Sequence, residues 1–322
     1  MSISVIIPIK NRANLLPYTL NNILSQYLLP KEIIVVDDHS TDHLSAVKEE
    51  YKKNVSFIPS EGHGPGAARN TGYKESTGKY IQFFDSDDLM TIDKLKIQFD
   101  QLEQSGRGMA YCPHVKAIES IQGDWKQADD ILYYKPLSKR LRYDQWVIRG
   151  ACMITQSCLF RRELIEEAGL WRTDLMPHED FEFLFRIGVV EPYPVHSAIP
   201  AVIYRQHQNQ ITDQSTSVQL RALDQLNACY LIYQQMKGRR YTFWDHKVMA
   251  NQMSRSASFV DKELWPTDYN NINHSTINKM ALRIETIFHS LQRRMTRSNW
   301  RFVHGVSTQP EHFEQIISKL IK

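Results

Sequence analysis

Short apolar runs alternate with amphipathic stretches through the first hundred residues. Ser4 to Ile9 is a nearly continuous β-branched run with Pro8 near its end, the pattern of a strand buried on both faces of a parallel sheet. Leu15, Leu16, Leu20, Ile23 and Leu24 then recur at helical spacing before the break at Gln26 to Pro30. Lys31 to Val36 predicts a second strand, Leu44, Val47 and Tyr51 a second helix, and Val55 to Ile58 a third, shorter strand. The glycine-rich stretch Gly62 to Asn70 runs into a helix that reaches about Ser76, and Tyr80 to Phe84 is the next strand. It stops on Asp85, Asp87 and Asp88. After it, Thr91 is the expected cap of a helix carrying Leu95, Phe99 and Leu102 on one face and ending at Gly106.

Beyond Met109 the regularity fades. Tyr111 to Val115 reads as a strand and Asp124 to Arg142 as a long loop or lid with Trp125, Tyr133 and Tyr134. Ser157 to Phe160 predicts a strand, Arg161 to Ala168 a short helix stopped by Gly169, and His178-Glu179-Asp180 the start of a helix with Phe181, Leu184, Phe185 and Ile187. Val195 to Tyr204 returns to strand character and exits through Arg205 and His207. A loose boundary near Gln214 to Ser217 separates 1–217 from a helical region, 218–322. In that region Met280, Ile284, Ile287, Phe288, Leu291 and Met295 form a stripe flanked by arginines, which suits either anionic lipid or packing against the rest of the chain or a second copy.

Strands alternating with helices every 20 to 30 residues imply an α/β fold, an open and mostly parallel sheet flanked by helices, whose ligands bind beyond the carboxyl ends of the strands. Pro8, Asp38 and Asp85 to Asp88 then share one rim. Two carboxylates about 6 Å apart repel by roughly 3 kcal/mol at an effective dielectric near 20, a cost that a hard cation with oxygen ligands removes. The glycine-rich stretch follows the third strand rather than the first, so it is not a dinucleotide fingerprint.

Composition narrows the partners. With 322 residues and 42% hydrophobic content the chain can bury a full core, and 39 basic against 36 acidic residues give a net charge of +3, too weak to suggest nucleic acid. Cys112, Cys152, Cys158 and Cys229 form no CxxC pair and read as reduced core thiols. No secretory signal and no long apolar span is visible, so the expectation is a chain that starts at Met1 in the cytoplasm, with peripheral attachment to the inner membrane face left open.

With these residues assembled, the sequence resembles the glycosyltransferase family 2 enzymes, inverting nucleotide-sugar-dependent transferases of the GT-A fold. The resemblance rests on Ser4 to Pro8 with Asn11-Arg12, Val35 to Asp42, Gly64 to Asn70, Phe84 to Asp88, and Glu179-Asp180, in that order over roughly residues 2 to 215. It implies a nucleotide-sugar-binding half, 1–110, and an acceptor-binding half, 111–217. It implies that Pro8, Asn11, Asp38 and Arg69 hold the nucleotide of a sugar donor, a uridine diphosphate sugar first. Asp85 would face the ribose, Asp87 would ligate Mn²⁺ or Mg²⁺, and Asp88 would cap or support the loop. Arg205 would close over the diphosphate, with His207 as a further metal ligand. Asp180 would be the base, with Glu179 orienting it or touching a saccharide or lipid-linked acceptor. Trp171 and the Asp124 to Arg142 segment are candidates for acceptor recognition, with core packing an equal alternative for Trp171. Lys10 departs from the family pattern, which commonly has an aromatic residue before the asparagine. Two rivals stand beside this reading: a nucleotidyltransferase, for which Gly62 to Asn70 offers only Arg69 to a triphosphate, and a degenerate member acting as a scaffold.

Overall fold

The computed structural model describes residues 2–119, 125–133, 136–150, 154–198, 201–206, 218–266, 306–307 and 318. In chain order the elements are β1 (Ile3–Ile9), α1 (Leu16–Leu24), β2 (Glu32–Asp37), α2 (Leu44–Tyr51), β3 (Ser56–Pro59), α3 (Pro65–Glu75), β4 (Tyr80–Phe83), β5 (Leu89–Met90), α4 (Lys94–Ser105), β6 (Met109–Tyr111), β7 (His114–Glu119) and β8 (Trp125–Tyr133). There follow α5 (Tyr143–Ile148), β9 (Cys158–Arg161), α6 (Arg162–Ala168), α7 (Glu179–Val190), β10 (Val195–His196), β11 (Val202–Arg205), α8 (Val218–Met236), α9 (Phe243–Ala257) and β12 (Val306–Ser307).

Among the described residues the strands form a seven-stranded sheet, β10-β6-β9-β4-β1-β2-β3, and a five-stranded one, β12-β8-β7-β11-β5. In the larger sheet β4, β1, β2 and β3 run parallel, and β9 runs antiparallel between β4 and β6. The mostly parallel α/β architecture expected from the sequence is therefore present.

The alternation along β1 shows how the core divides. Ile6 joins Ile34, Val36 and Phe83 on one face, under α3, α5, α6, α7, α8 and α9, whereas Val5, Ile7 and Ile9 join Ile33 and Val35 on the other, under α1, α2 and α4. Side chains of successive strand residues point to opposite faces, so each face collects every second residue. After β3 the chain changes face, as α3 crosses back to deliver β4 on the far side of β1, and α4 then returns to the face of α1 and α2. That crossing brings α3 very close to the sheet: a Cβ at Gly72 would stand 2.4 Å from Ile6 and 2.9 Å from Val36, so only glycine fits. The crevice between β1 and β4 is the topological switch point, where open α/β sheets bind ligands.

Four expectations need correction. The strand predicted at Tyr111 to Val115 is two strands, because Cys112-Pro113 carries the chain from the larger sheet to the smaller. Within the predicted lid, 125–133 is β8, paired antiparallel with β7. Its polar residues hid a strand lying outside the main sheet. The run Val195 to Tyr204 is likewise two strands in different sheets. Thr91 does not cap α4, which begins after Asp93; its hydroxyl instead donates to Asp93 (2.8 Å) and accepts the Ala201 N–H (3.1 Å), tying β5 to the start of β11. The α5 helix has no counterpart in the sequence expectation.

Gly106 ends α4 in the left-handed region at φ +65°, as expected. Leu226, Cys229 and Ile232 of α8 and Met249 and Met253 of α9 lie in the same apolar cluster as Ile6 and Phe83, so α8 and α9 are part of the core. Cys112, Cys158 and Cys229 are buried free thiols, and Cys152 and the apolar stripe from Met280 to Met295 lie outside the described residues. No helix among the described residues is long and apolar enough to cross a membrane.

Candidate active site

Four strand ends, at Ile9, Asp37, Pro59 and Phe83, open onto one rim. The turns leaving β1 and β2 are laced together there. Asn11 sits at φ +53° and His39 at φ +57°, conformations that cost energy for residues with a Cβ and persist only when neighbours hold them. The Asn11 side-chain oxygen accepts the Thr41 N–H at 2.7 Å, Ser40 Oγ accepts the Asn11 N–H at 3.1 Å, and Asp42 accepts the Ala13 N–H at 2.7 Å. Asn11 thus shapes the rim.

Asp38 lies buried at the end of β2. Its Oδ2 accepts the Gly64 N–H at the start of α3 (3.1 Å) and faces Lys10 Nζ (3.3 Å), and its Oδ1 is 3.2 Å from His39 Nδ1 and 3.9 Å from His63 Nδ1. The two imidazole rings stack at 4.3 Å. Asp38, His39 and His63 have ligand-type atoms close enough to hold a metal, but the Lys10 ammonium already balances the carboxylate and opposes a second cation. The cluster fits a hydrogen-bonding rim for a planar base.

At the end of β4, carboxylate oxygens of Asp85, Asp87 and Asp88 lie within 4.8 Å of one another. Asp88 supports the loop and also stays within the cluster. It is buried, its Oδ1 accepts the Arg205 N–H (3.1 Å) and its Oδ2 accepts from the Gln156 amide (3.2 Å), so it braces the loop while remaining in the cluster. Asp85 accepts from Arg69 at 3.0 Å and, on its other oxygen, from the same Gln156 amide. Asp87 faces Arg12 Nε at 3.7 Å, a longer contact than those holding its neighbours. The Arg205 side chain donates to the Asp87 backbone carbonyl and lies over the exposed Tyr18 ring. His207 lies outside the described residues.

Arg69 joins this cluster to the start of α7. Its guanidinium donates to Asp85 (3.0 Å) and to Glu179 (3.0 Å) while lying 4.4 Å above the Trp171 ring. Trp171 itself is 3% exposed and stacks on Phe183 at 4.1 Å, with Phe83 edge-on. Its burial rules out the candidate role as an open platform for acceptor recognition; it is the floor on which Arg69 rests. Asp180, half-buried beside Glu179, accepts the Phe181 N–H at 2.7 Å.

Charge decides what this site can hold. Among the described residues, five carboxyl groups (Asp85, Asp87, Asp88, Glu179, Asp180) meet three guanidiniums (Arg12, Arg69, Arg205). If all were ionised the deficit would be two positive charges, that of one divalent cation. Burial raises the pKa of Asp85, Asp88 and Asp180, and pushes Glu179 up to about 7. Mutual repulsion adds to burial at Asp85 and Asp88, and Arg69 opposes it at Asp85, Glu179 and Asp180. The all-oxygen donor set of Asp85, Asp87 and Asp88 fits Mg²⁺ or Mn²⁺.

A pH effect follows from Glu179. Its folded pKa of about 7 exceeds the ordinary 4.5, so between those values the native state binds more protons than the unfolded one and stability falls as pH rises. Urea denaturation at pH 5 and pH 8 is expected to show greater stability at pH 5 from this group, and Glu179→Gln is expected to flatten the difference.

Two residues escaped the sequence reading. Gln156 bridges Asp85 and Asp88, and Gln82, the only polar residue of β4, donates to the Gln156 backbone carbonyl at 3.0 Å. A glutamine inside an otherwise apolar strand was the available signal.

The profile of the family described as Glycosyl transferase family 2 matches residues 4–169. An uncharacterized glycosyltransferase of Rickettsia felis is 41% identical over 119 residues, 36% of this chain and 20% of its own length, so the match spans about a fifth of that relative. Among solved structures, S. aureus TarS in complex with UDP-GlcNAc superposes with a TM-score of 0.60 at 20% identity, covering 81% of this chain and 74% of that one. The mannosyltransferase PcManGT from Pyrobaculum calidifontis, in complex with GDP-Man and Mn²⁺, gives 0.53 at 15% identity over 99% and 86%. The architecture is thus that of GT-A transferases, and with the family profile covering more than half of its residues the chain belongs to glycosyl transferase family 2.

Proposed function

We propose that the chain transfers a sugar, with inversion, from a nucleoside diphosphate donor to a hydroxyl of a saccharide or lipid-linked acceptor. One observation carries this reading: Arg69 ties a carboxylate cluster at the switch point to a second carboxylate pair, Glu179 and Asp180, on a different element. An inverting transfer needs two such groups with separate tasks. The acceptor oxygen attacks the anomeric carbon from the face opposite the diphosphate as the carbon–oxygen bond to the diphosphate breaks and its electron pair leaves with the phosphate. Asp180 takes the hydroxyl proton. Arg12 and Arg205, on the Asp87 side, face the charge that grows on the leaving group. A divalent cation held by Asp87, with Asp85 and Asp88 beside it, supplies further electrostatic stabilisation of that charge when bound. Pro8, Asn11 and Asp38 border the base pocket, and Lys10, where an aromatic residue is common, adds a hydrogen-bond donor beside Asp38. TarS and PcManGT carry uridine and guanosine donors respectively in their solved complexes, which makes both nucleotides candidates here.

The test is incubation of the full chain with UDP-sugars and GDP-mannose in the presence of Mn²⁺. Release of nucleoside diphosphate supports the reading, whereas pyrophosphate release from a nucleoside triphosphate supports nucleotidyl transfer. Asp87→Asn is expected to lower turnover by at least about 10- to 100-fold, the loss seen even for residues that only support a metal ligand, and to abolish the thermal shift produced by Mn²⁺. Wild-type turnover in that variant would remove Asp87 from the metal site.

A further inference from the structure

We infer that Asp224, on α8, is the positioning residue that fixes the base-bearing end of α7. This rests on the transferase reading above. The family match ends at residue 169, so neither α7 nor α8 lies within it. The N-cap of helix α7 is not closed by its own residue: His178 makes no side-chain capping bond, and the first turn carries Glu179, Asp180 and Glu182. The Asp224 carboxylate reaches this turn from the neighbouring helix. Its Oδ1 accepts the Met176 N–H at 2.8 Å, and its Oδ2 accepts the His178 N–H at 2.9 Å and lies 3.1 Å from His178 Nδ1. Pro177 between them has no N–H, so Asp224 takes both backbone donors that residues 176–178 offer.

Asp224 is 8% exposed, and a buried acceptor with charge-assisted bonds holds its partners more firmly than a neutral one. A second contact reinforces it, since Gln235 on α8 donates to Glu182 on α7 at 3.1 Å. Leu226, Cys229 and Ile232 of α8 share a core with Phe183, Leu184 and Ile187 of α7, which makes α8 a rigid platform for the clamp. Asp180 follows His178 by two residues, so a shift at His178 moves its carboxylate. A displacement of about 1 Å in a reacting group can cost on the order of 100-fold in rate. Asp224 hydrogen-bonds neither the donor-side carboxylates nor Arg69; its own bonds are to Met176 and His178, at the start of α7.

The experiment compares the full chain with Asp224→Ala, Asp224→Asn and Asp180→Asn. Turnover is measured at saturating concentration of whichever of UDP-N-acetylglucosamine or GDP-mannose the wild type cleaves, binding of UDP or GDP with Mn²⁺ by calorimetry, and amide exchange over residues 174–182. Asp224→Ala is expected to lose about 10- to 100-fold in turnover, with nucleotide affinity within about two-fold and faster exchange at Met176 and His178. Asp224→Asn, which keeps one acceptor oxygen, is expected to recover part of the rate; if Asp224→Ala does not fold, Asp224→Asn is read against the wild type by the same criteria. Wild-type turnover in the Asp224 variants beside an inactive Asp180→Asn overturns this inference alone. Nucleotide affinity falling in step with turnover also overturns it, because the defect is then general. An active Asp180→Asn takes the base away from α7 and overturns this inference with it, whereas a wild type that releases no nucleoside diphosphate overturns the transferase reading on which it rests.

Discussion

Replacing Asp180 by Asn is expected to lower turnover by about 10²- to 10⁴-fold, the contribution typical of a positioned general base, while leaving nucleotide binding and the thermal midpoint unchanged. The structure gives reasons for both halves. Asp180 Oδ1 accepts the Phe181 N–H at 2.7 Å, a bond that the amide oxygen of Asn can keep, so the first turn of α7 has no cause to move. Burial disfavours the ionised Asp180 carboxyl, so its neutral isostere does not destabilise the fold. The same raised pKa sets the rate profile: the base works only when deprotonated, so turnover is expected to fall as pH drops through a value above that of an ordinary aspartate. Steady-state release of nucleoside diphosphate and calorimetric titration with UDP or GDP check the two halves separately. Activity within about two-fold of wild type would move the base to another group, and a scaffold would show no turnover in either protein.

What the sequence made legible is what lies on strands and at their ends. Periodicity placed β1, β2 and β4 because each is apolar on both faces, and the acidic stop after β4 marked the site because carboxylates closing a buried strand are costly without a partner. The parts that stayed hidden depend on contacts between distant segments. Gln156 looks like an ordinary polar residue before β9, and only the antiparallel insertion of β9 beside β4 brings its amide between Asp85 and Asp88. Trp171 stayed open between sugar platform and core because aromatic side chains serve both equally well, and its neighbours in sequence, Arg172 and Thr173, give no sign of Phe183 beneath it. The strand β8 escaped because its sequence, Trp125 to Tyr133, mixes charged and polar residues with apolar ones and belongs to a second sheet outside the main one. Asp224 had no local signal at all: it stands on a helix whose apolar residues announce packing, and its partners are backbone amides 46 and 48 positions away.

Arg69→Leu is expected to destabilise the protein by about 3–5 kcal/mol, the cost of leaving a buried ion pair with one partner. Two other losses are smaller. The cation–π contact with Trp171, at 4.4 Å, contributes on the order of 2 kcal/mol in a desolvated site. The pair with Asp85, whose side chain is 31% exposed, is partly screened by water. Glu179 decides the outcome, because its side chain is only 6% exposed, its Oε2 has no hydrogen-bond partner, and Arg69 is the cation beside it. Leucine keeps the apolar contact with Trp171 and removes only the charge. Glu179 and Asp85 must then take up protons to remain buried, which raises their folded pKa values further. In that pH window the native state holds more protons than the unfolded state, so the variant's stability falls with rising pH. The loss relative to wild type is therefore expected to be larger at pH 8 than at pH 5 in urea denaturation. An equal loss at both pH values would mean that Arg69 acts through packing. Arg69→Lys separates charge from geometry: an ammonium is a point charge without the planar fork that reaches Asp85 and Glu179 together, so it is expected to recover part of the stability and little of the turnover.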